Sequence, residues 1–250
     1  MKTLKILAAT ALLVTCISSS EPAASQSGPI TPEAEKAMRQ IGAALRKLKG
    51  YHMETSVTTR AAIGDGKYRE FKGAVGYTVA SPNQLFAEVR GEGLNRQVYY
   101  DGNVITVVAP TQQKYAQVDA PGPSFAVFRK ELTQRRGLEL PIADLFSWGE
   151  KDGPVSAITE GRYAGKGTVA GRSCEHHTFS GAGIIWEVWA DERNLPCKVV
   201  MVDTRDSGLP GYSAEIDWKS IDAQVQVPRF TRANDMQQVE LAELPDSDAP

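Results

Sequence analysis

The fold is decided by residues 161–220, which contain the segments GRYAGKGTVAGRSCEHHTF (161–179), GIIWEVWADERNLPCKVVMVD (183–203) and GYSAEIDWKS (211–220). In the third segment Tyr212, Ala214, Ile216 and Trp218 alternate with polar residues. This period of two is typical of a β-strand with one buried face and one face in water. The three segments are therefore predicted to be consecutive antiparallel strands with their aromatic residues on one side.

The strand around residue 200 is apolar on both faces. Cys197, Val199 and Met201 share one face, while Val200 and Val202 lie on the other. Both faces of this strand must be covered or curved. The pattern predicts a strongly bent sheet with an apolar concave side.

The preceding part of the chain continues the same sheet. Gly64-Asp65-Gly66 and Asp101-Gly102 have the composition of tight hairpin turns. Strands recur at spacings of roughly 10 to 15 residues, which favours a meander over alternating strands and helices. The predicted fold class is mainly β (α+β), with one long curved antiparallel sheet. The further strands are expected at residues 51–61, 68–81, 85–89, 97–109 and 113–118.

Composition bounds the number of domains and the class of partner. The chain has 250 residues, of which 42% are hydrophobic and 23% charged, so it can bury a core within one domain. We assign that domain to residues 26–236 and expect a flexible acidic tail at residues 237–250. The net charge is −2 and no segment concentrates lysine and arginine, so nucleic acid is not an expected partner.

The first 25 residues have the composition of a signal peptide. Lys2 and Lys5 precede an apolar run at residues 6–17, and small residues follow at 23–25. The run is too short to span a bilayer about 30 Å thick as a helix. The protein is therefore expected in the periplasm. Cys16 lies in a sequence that approximates a lipoprotein processing site, so a membrane-anchored lipoprotein is the alternative.

Two helical regions and a short apolar segment accompany the strands. Residues 31–49 predict a helix, with Thr31 as the N-cap and a proline at the first helical position. A second helix is predicted within residues 121–137. Pro141 can begin a helical turn but cannot lie inside a helix, so residues after it form a separate segment. This segment is predicted either to act as a lid over the sheet or to pack as ordinary core. The lid candidates are Ile142, Leu145, Phe146 and Trp148.

Cys174 and Cys197 could form a disulfide in an oxidising compartment. In a simple meander these residues lie on the first and third strands, roughly 10 Å apart, which exceeds the reach of a disulfide. Cys197 follows a proline at a strand start, where the chain can turn inward. The sequence leaves both outcomes open.

The sequence gives little support for a catalytic site or a metal-binding site. His176 and His177 are adjacent on a strand and point to opposite faces, whereas zinc needs three or four converging ligands. One imidazole is expected to point inward and hydrogen-bond a neighbouring strand, and the other to face water. There is no G-x-S-x-G motif and no glycine-rich phosphate loop. No catalytic residue, metal or cofactor is predicted.

Five motifs occur along the chain: YYDG at 99–102, KYA at 114–116, LPIADL at 140–145, GxxCxH at 171–176 and WxxW at 186–189. Together with the signal peptide they resemble a bacterial family of predicted periplasmic proteins, domain of unknown function 2092. The resemblance covers roughly residues 31–230. It implies a fold similar to the lipoprotein carriers LolA and LolB, a half-barrel closed by two helical segments around an apolar cavity. The family has no established activity, so it implies no catalytic residues.

The expected function is binding or carriage of a hydrophobic ligand in this cavity, without enzymatic activity. Burial of an acyl chain is favourable by about 0.8 kcal/mol per CH₂ and requires no specific bond. The alternative is an envelope-stress sensor or interaction module that binds an envelope protein with the same curved sheet. Contact with the membrane surface is also allowed, and a monomer is expected. The cavity candidates are Phe71, Tyr77, Tyr100, Trp186, Val188, Tyr212 and Trp218.

Overall fold

A computed structural model describes residues 29–134, 140–148, 154–221 and 224–244. The predicted signal peptide, including Cys16, lies outside these residues. The α-helices are α1 (Pro32–Lys47) and α2 (Phe125–Gln134), and 3₁₀ helices occupy Pro110–Gln112, Ala143–Ser147, Pro154–Ala157 and Leu241–Glu243. The strands are β1 (Gly50–Gly64), β2 (Lys67–Ala80), β3 (Gln84–Gly91), β4 (Leu94–Tyr100), β5 (Val104–Ala109), β6 (Lys114–Asp119), β7 (Glu160–Val169), β8 (Arg172–Gly181), β9 (Ile184–Ala190), β10 (Pro196–Asp203), β11 (Gly211–Ile221) and β12 (Gln237–Gln238).

All twelve strands of the described residues belong to one open sheet, in the order β12-β6-β5-β4-β3-β2-β1-β11-β10-β9-β8-β7. Strands β1 to β6 form one meander and β7 to β11 form a second. The two meanders meet where β1 pairs antiparallel with β11. The predicted curved half-barrel is confirmed, with one difference: β12 pairs parallel with β6, so the sheet is mixed.

Alternation of apolar and polar residues places the core on the concave face. In β11, Ala214 and Ile216 are buried, while the alternate residues Glu215 and Asp217 are exposed. Across the ladder to β10, Val199 pairs with Ala214 and is also buried. The predicted buried face is therefore correct for Val199 and for β11, whereas Cys197 lies on the other side with Cys174 and Trp189.

The helices and one short segment cover the concave face in a row. Helix α1 lies near β7 and β8, and it begins as predicted, because Ala34 N–H donates to Thr31 Oγ1 at 3.3 Å. Helix α2 packs on β4, where the Phe128 ring lies 5.1 Å from the Tyr100 ring. Residues 140–148, which we call the lid, lie between the two helices. No helix in the described ranges is both long and apolar enough to cross a membrane.

The C-terminal segment at residues 224–244, which we call the strap, packs on the convex face. The Phe230 ring lies 5.7 Å from the ring of Tyr99 and 4.9 Å from that of Tyr115. Gln237 and Gln238 pair with β6, and Leu241 and Leu244 pack against the core. The structure thus differs from the predicted flexible tail over residues 237–244, because these backbone and apolar groups have partners. Residues 245–250 lie outside the described ranges.

Candidate functional site

The wall of the candidate site is the concave surface of β2, β9, β10 and β11. Tyr77, Val188 and Trp186 are buried there, and Tyr212 is partly buried. They come from strands far apart in the chain, and the β1–β11 ladder brings the two meanders together. The structure thus brings together four of the seven predicted cavity residues.

The other three predicted cavity residues lie elsewhere. Tyr100 is buried under α2, and its hydroxyl donates to Ala120 O at 3.0 Å. Trp218 packs edge-on against Tyr51, and its Nε1 donates to Pro196 O at 2.8 Å. Phe71 belongs to the end of β2 that projects beyond the core, where the Arg69 guanidinium covers its ring at 4.7 Å. Phe71 therefore lies away from the wall, because the β1–β2 hairpin extends past the covered part of the sheet.

The lid fills the space over this wall. Its side chains Ile142, Leu145 and Trp148 are buried, and Phe146 is partly buried against the core. The Phe146 ring contacts Tyr77 edge-on at 5.3 Å, and the Trp148 ring contacts Phe179 at 6.3 Å. All four predicted lid residues therefore contact the core, in the middle of the concave face.

Two tyrosine side chains of the wall lie beside the lid. The Tyr77 hydroxyl donates a hydrogen bond to the carbonyl oxygen of Pro141. The Tyr212 hydroxyl lies near the backbone N–H of Ile142, the next residue of the lid. We call Tyr77 and Tyr212 the tyrosine clamp.

Electrostatic effects at the clamp follow from burial. Burial raises the pKa of the Tyr77 hydroxyl well above its ordinary value, and Tyr212 adds to the rise. Burial also raises the pKa of the Tyr212 hydroxyl; the Asp144 charge adds to this, and the Ile142 N–H opposes it. Both hydroxyls therefore remain protonated and can act as donors or acceptors throughout the neutral range.

Asp144 brings a carboxyl group to the same region. Burial raises its pKa above the ordinary value, while the Arg129 charge and the Trp186 indole N–H lower it by less. Trp186 Nε1 is near this carboxyl without meeting hydrogen-bond geometry, and it has no partner among the described residues. The sequence did not predict Asp144 and Arg129 as site residues, because no local pattern indicates that these two side chains lie close together.

The lid carries two energetically unfavourable features. Ile142 has a left-handed backbone conformation, with φ 59° and ψ 6°, although it is β-branched and fully buried. Such a conformation costs on the order of 1 to 3 kcal/mol. Trp148 Nε1 is buried without a hydrogen-bond partner among the described residues. An unsatisfied buried donor costs a further 1 to 3 kcal/mol, roughly.

Little space remains beneath the lid. A cavity of about 10 Å³ lies between the lid residues Asp144, Leu145 and Trp148 and the wall residues Trp186, Val199 and Tyr212. This is about the space that a single water molecule needs. The expected unfilled cavity is therefore not open in this conformation, because the lid occupies it.

The two adjacent histidines point to opposite faces, as predicted. His176 lies on the convex side, stacked on Trp189 at 4.0 Å, with Nε2 3.1 Å from Glu187 Oε2. His177 points inward and is 7% exposed, and burial lowers its pKa. Its Nδ1 has no partner among the described residues, which differs from the expected hydrogen bond to a neighbouring strand. It lines a polar surface pocket of about 240 Å³ beside α1.

Cys174 and Cys197 form a disulfide with a Cα–Cα distance of 6.8 Å. In a simple meander β9 would lie between the two residues and hold them too far apart. In the structure β9 ends at Ala190, which pairs with Glu175, so Cys174 lies just beyond that end. Cys197 is the extra residue of a bulge, since Pro196 pairs with Ala190 and Lys198 with Trp189. The bulge moves Cys197 within reach of Cys174.

Comparison with solved structures finds matches at low identity. The chain is similar to the crystal structure of MucB, with 13% identity and a TM-score of 0.45, over 82% of this chain and 66% of that chain. A MucA/MucB complex from Pseudomonas aeruginosa is similar with 15% identity and a TM-score of 0.40, over 79% of this chain and 64% of that chain. LprF from Mycobacterium bovis has 11% identity and a TM-score of 0.43, with 81% of this chain and 99% of that chain covered.

The family of the chain is identified by a match to a sequence-family model. No curated protein matches the chain. The model described as "Predicted periplasmic protein (DUF2092)" matches residues 34–242, which include the lid, the wall and most of the strap. The predicted periplasmic localisation agrees with that description. The chain therefore belongs to the DUF2092 family of predicted periplasmic proteins.

Proposed function

We propose that this protein is a non-enzymatic periplasmic binding or carrier protein for a hydrophobic ligand, a lipid or the acyl chains of a lipoprotein. The ligand binds the concave wall by displacing the lid. The observation that carries the proposal is that a short, separate segment covers the wall while containing a strained residue and an unpaired buried donor. A cover with these two costs is easier to displace than ordinary core.

The exposed wall would suit an acyl chain. Without the lid it presents Trp186, Val188, Val199 and Met201, together with the Tyr77 ring. Each CH₂ that leaves water contributes about 0.8 kcal/mol. The ligand would replace the apolar contacts of Ile142, Leu145 and Trp148, so affinity would depend on the balance between the two sets of contacts.

The test compares two leucine-to-alanine variants. Leu145→Ala weakens the lid, and Leu85→Ala removes the same atoms from β3; the two leucines are 3% and 0% exposed. Each variant is expected to lose about 2 to 5 kcal/mol of stability. If the lid competes with the ligand, Leu145→Ala binds a fluorescent fatty acid at least roughly tenfold more tightly than wild type. Leu85→Ala is expected to match wild type.

The outcome that contradicts the proposal is equally specific. Wild type and Leu145→Ala would both fail to bind the fluorescent fatty acid. Protein purified from its native host would also release no lipid on organic extraction, as judged by mass spectrometry. Trp186→Asp, which places a charge on the wall, is expected to lower any lipid occupancy that the wild type shows.

A second candidate function is binding of an envelope protein segment. It is favoured by the chemistry of the lid, which is itself a peptide held to the wall through a backbone C=O group. A segment of another protein could offer the same group. Reversible cross-linking followed by pull-down would favour this function if one stoichiometric partner appeared in place of lipid.

A further inference from the structure

A second pocket lies outside the lid and the wall. It has a volume of about 240 Å³ and opens at the surface between α1, β8 and the end of β9, and we call it the α1 pocket. Three of its lining residues, Ala37, Ile41 and Ala190, are buried and apolar. Because the volume far exceeds what a single water molecule needs, the α1 pocket can hold a small molecule.

His177 brings a buried polar group to the α1 pocket. The residue lines the pocket although it is only 7% exposed, and its Nδ1 has no hydrogen-bond partner among the described residues. The rings packed beside the imidazole belong to Tyr163, at 5.3 Å, and Phe179, at 6.3 Å. The Tyr163 hydroxyl is directed at Glu175 Oε2, to which it donates at 2.6 Å. An unpaired buried imidazole is unfavourable, so a ligand that supplies its partner is favoured.

The polar groups of the α1 pocket can each donate and accept a hydrogen bond. Burial lowers the pKa of His177 and the neighbouring His176 adds to this, while the Glu175 charge opposes it. The imidazole is therefore neutral at neutral pH, with one donor and one acceptor nitrogen. Gln40 on α1 and Asn194 after β9 also line the pocket, and each amide has both functions. A hydroxyl group matches all three side chains, because it both donates and accepts.

The charged groups around the α1 pocket are balanced. Lys166 Nζ lies 3.0 Å from Glu175 Oε1, and an Arg193 guanidinium nitrogen lies 2.8 Å from Asp191 Oδ2. The two charged residues of α1 that line the pocket have opposite signs. The pocket therefore has no dominant charge that would select an anion or a cation. Within the described ranges, no group of three His, Cys, Asp or Glu residues is placed to hold a metal ion.

We propose that the α1 pocket binds a small uncharged polyhydroxyl compound, a polyol or a single sugar ring, through His177, Gln40 and Asn194. The hydroxyl groups of the compound bond to these neutral side chains, and its C–H groups contact Ala37 and Ile41. The inference goes beyond the proposed function, because it concerns a second ligand and holds whether or not the wall binds a lipid.

Three ring compounds of the same size test the ligand class. The probes are myo-inositol, cyclohexanol and cyclohexylamine, which share a six-membered carbon ring and differ in their polar groups. Binding is followed by NMR through the methyl signals of Ala37, Ile41 and Ala190, which line the pocket. We expect myo-inositol to bind with a millimolar dissociation constant, about tenfold more tightly than either of the other two probes.

The two adjacent histidines supply a matched pair of variants. His177→Phe keeps an aromatic ring beside Tyr163 and Phe179 but removes both nitrogens, so it should weaken myo-inositol binding about fivefold. His176→Phe changes the histidine that stacks on Trp189 on the convex side, and it should match wild type. Thermal unfolding verifies that each variant is folded.

A second pair of variants on α1 applies if His177→Phe does not fold. Gln40 and Arg39 are both exposed, and Gln40 lines the pocket whereas Arg39 does not. Gln40→Ala should weaken myo-inositol binding about threefold, because one hydrogen-bonding amide is lost. Arg39→Ala should leave the affinity unchanged.

Each outcome supports or overturns the inference. Preferred binding of myo-inositol that is weakened by the pocket variants and not by their controls supports it. Equal binding of myo-inositol and cyclohexanol, tighter binding of cyclohexylamine, or no methyl shift with any probe at millimolar concentration overturns it. Wild-type affinity in His177→Phe, or in Gln40→Ala where His177→Phe is unfolded, also overturns it. Titration of the same samples with a fluorescent fatty acid tests the proposed function separately, so the two proposals can fail independently.

Discussion

Tyr77 illustrates how one polar atom can fix the position of a segment in an apolar core. Its ring lies among buried side chains, and its hydroxyl reaches a carbonyl of the lid, 64 residues later in the chain. A tyrosine at such a position provides both apolar contact area and a directed hydrogen bond.

Removal of this hydroxyl should weaken the closed form. Tyr77→Phe leaves the Pro141 carbonyl without its donor, and the free energy of unfolding should fall by about 1 kcal/mol. Denaturant titration measures the change. The control is Tyr115→Phe on β6, whose hydroxyl donates to Gln238 Oε1 at 3.1 Å near the surface. We expect that change to stay below about 0.5 kcal/mol. Equal losses in the two variants would contradict a special role for the Tyr77 hydroxyl.

Asp144 should make stability depend on pH. Because its pKa is raised in the folded protein, the folded protein binds this proton more tightly than the unfolded chain does. The resulting stabilisation is fully present below the ordinary value of 3.8 and is lost as the pH rises through the folded pKa. Asp144→Asn, which cannot ionise, should therefore be more stable than wild type near neutral pH.

Unfolding titrations of both proteins across the acidic range measure this difference, which should shrink as the pH falls towards 3.8. Asp119→Asn, at an exposed position of β6, is the control and should parallel wild type. A constant difference between Asp144→Asn and wild type at all pH values would show that the carboxyl charge is not the cause.

At this scale the sequence predicts which way a side chain points better than what it touches. Period-two alternation placed Tyr77, Trp186 and Val188 on the buried face correctly. The same alternation placed Phe71 there, and it failed because periodicity does not show where the cover of a sheet ends. The pairing of Tyr77 with Pro141 depends on the three-dimensional path of the lid, which no local pattern encodes.

Among the elements, the disulfide joins the end of β8 to the bulge of β10. The double variant Cys174→Ser/Cys197→Ser should lose about 3 kcal/mol of stability, since the bridge closes a loop with a sequence separation of 23 residues. Denaturant unfolding measures this loss. With a reductant present, wild type should unfold at nearly the same denaturant concentration as the variant. A persistent gap under reducing conditions would assign the loss to side-chain packing instead.

The strap should stabilise the half of the sheet on which it packs. Phe230→Ala removes the ring that contacts Tyr99 and Tyr115, and the expected loss is about 1 to 2 kcal/mol because Phe230 is partly exposed. Thermal unfolding measures the effect. Arg229→Ala changes the exposed neighbouring residue and should leave the midpoint unchanged. Equal midpoints for Phe230→Ala and wild type would show that the strap contributes little.

The sequence predicted α1 well, because an N-cap and a proline mark its start locally. It missed the strap, in which Phe230 is a single aromatic residue within a mostly polar segment. It also left the disulfide undecided, because the β10 bulge that brings Cys197 near Cys174 depends on strand pairing.

For the whole molecule, the sequence and the family resemblance predicted the curved sheet with helices on its concave side. They did not predict that the lid leaves a cavity of only about 10 Å³ between itself and the wall, since this volume depends on how closely the two fit together. In this conformation residues 140–148 cover the wall that the proposed ligand would occupy.

The order of the strands also constrains how the chain can be made. Ribosome and export channel deliver a polypeptide from its N-terminus, so β1 emerges early and can pair with β2 soon afterwards. The other edge of β1 stays unpaired until β11 has been delivered, because Tyr51 pairs with Ile221 near the end of the domain. Until then an unpaired edge remains open to association with other chains. The β1–β11 ladder is thus among the last parts of the sheet to form. The newly exported chain needs protection from aggregation until this ladder has formed.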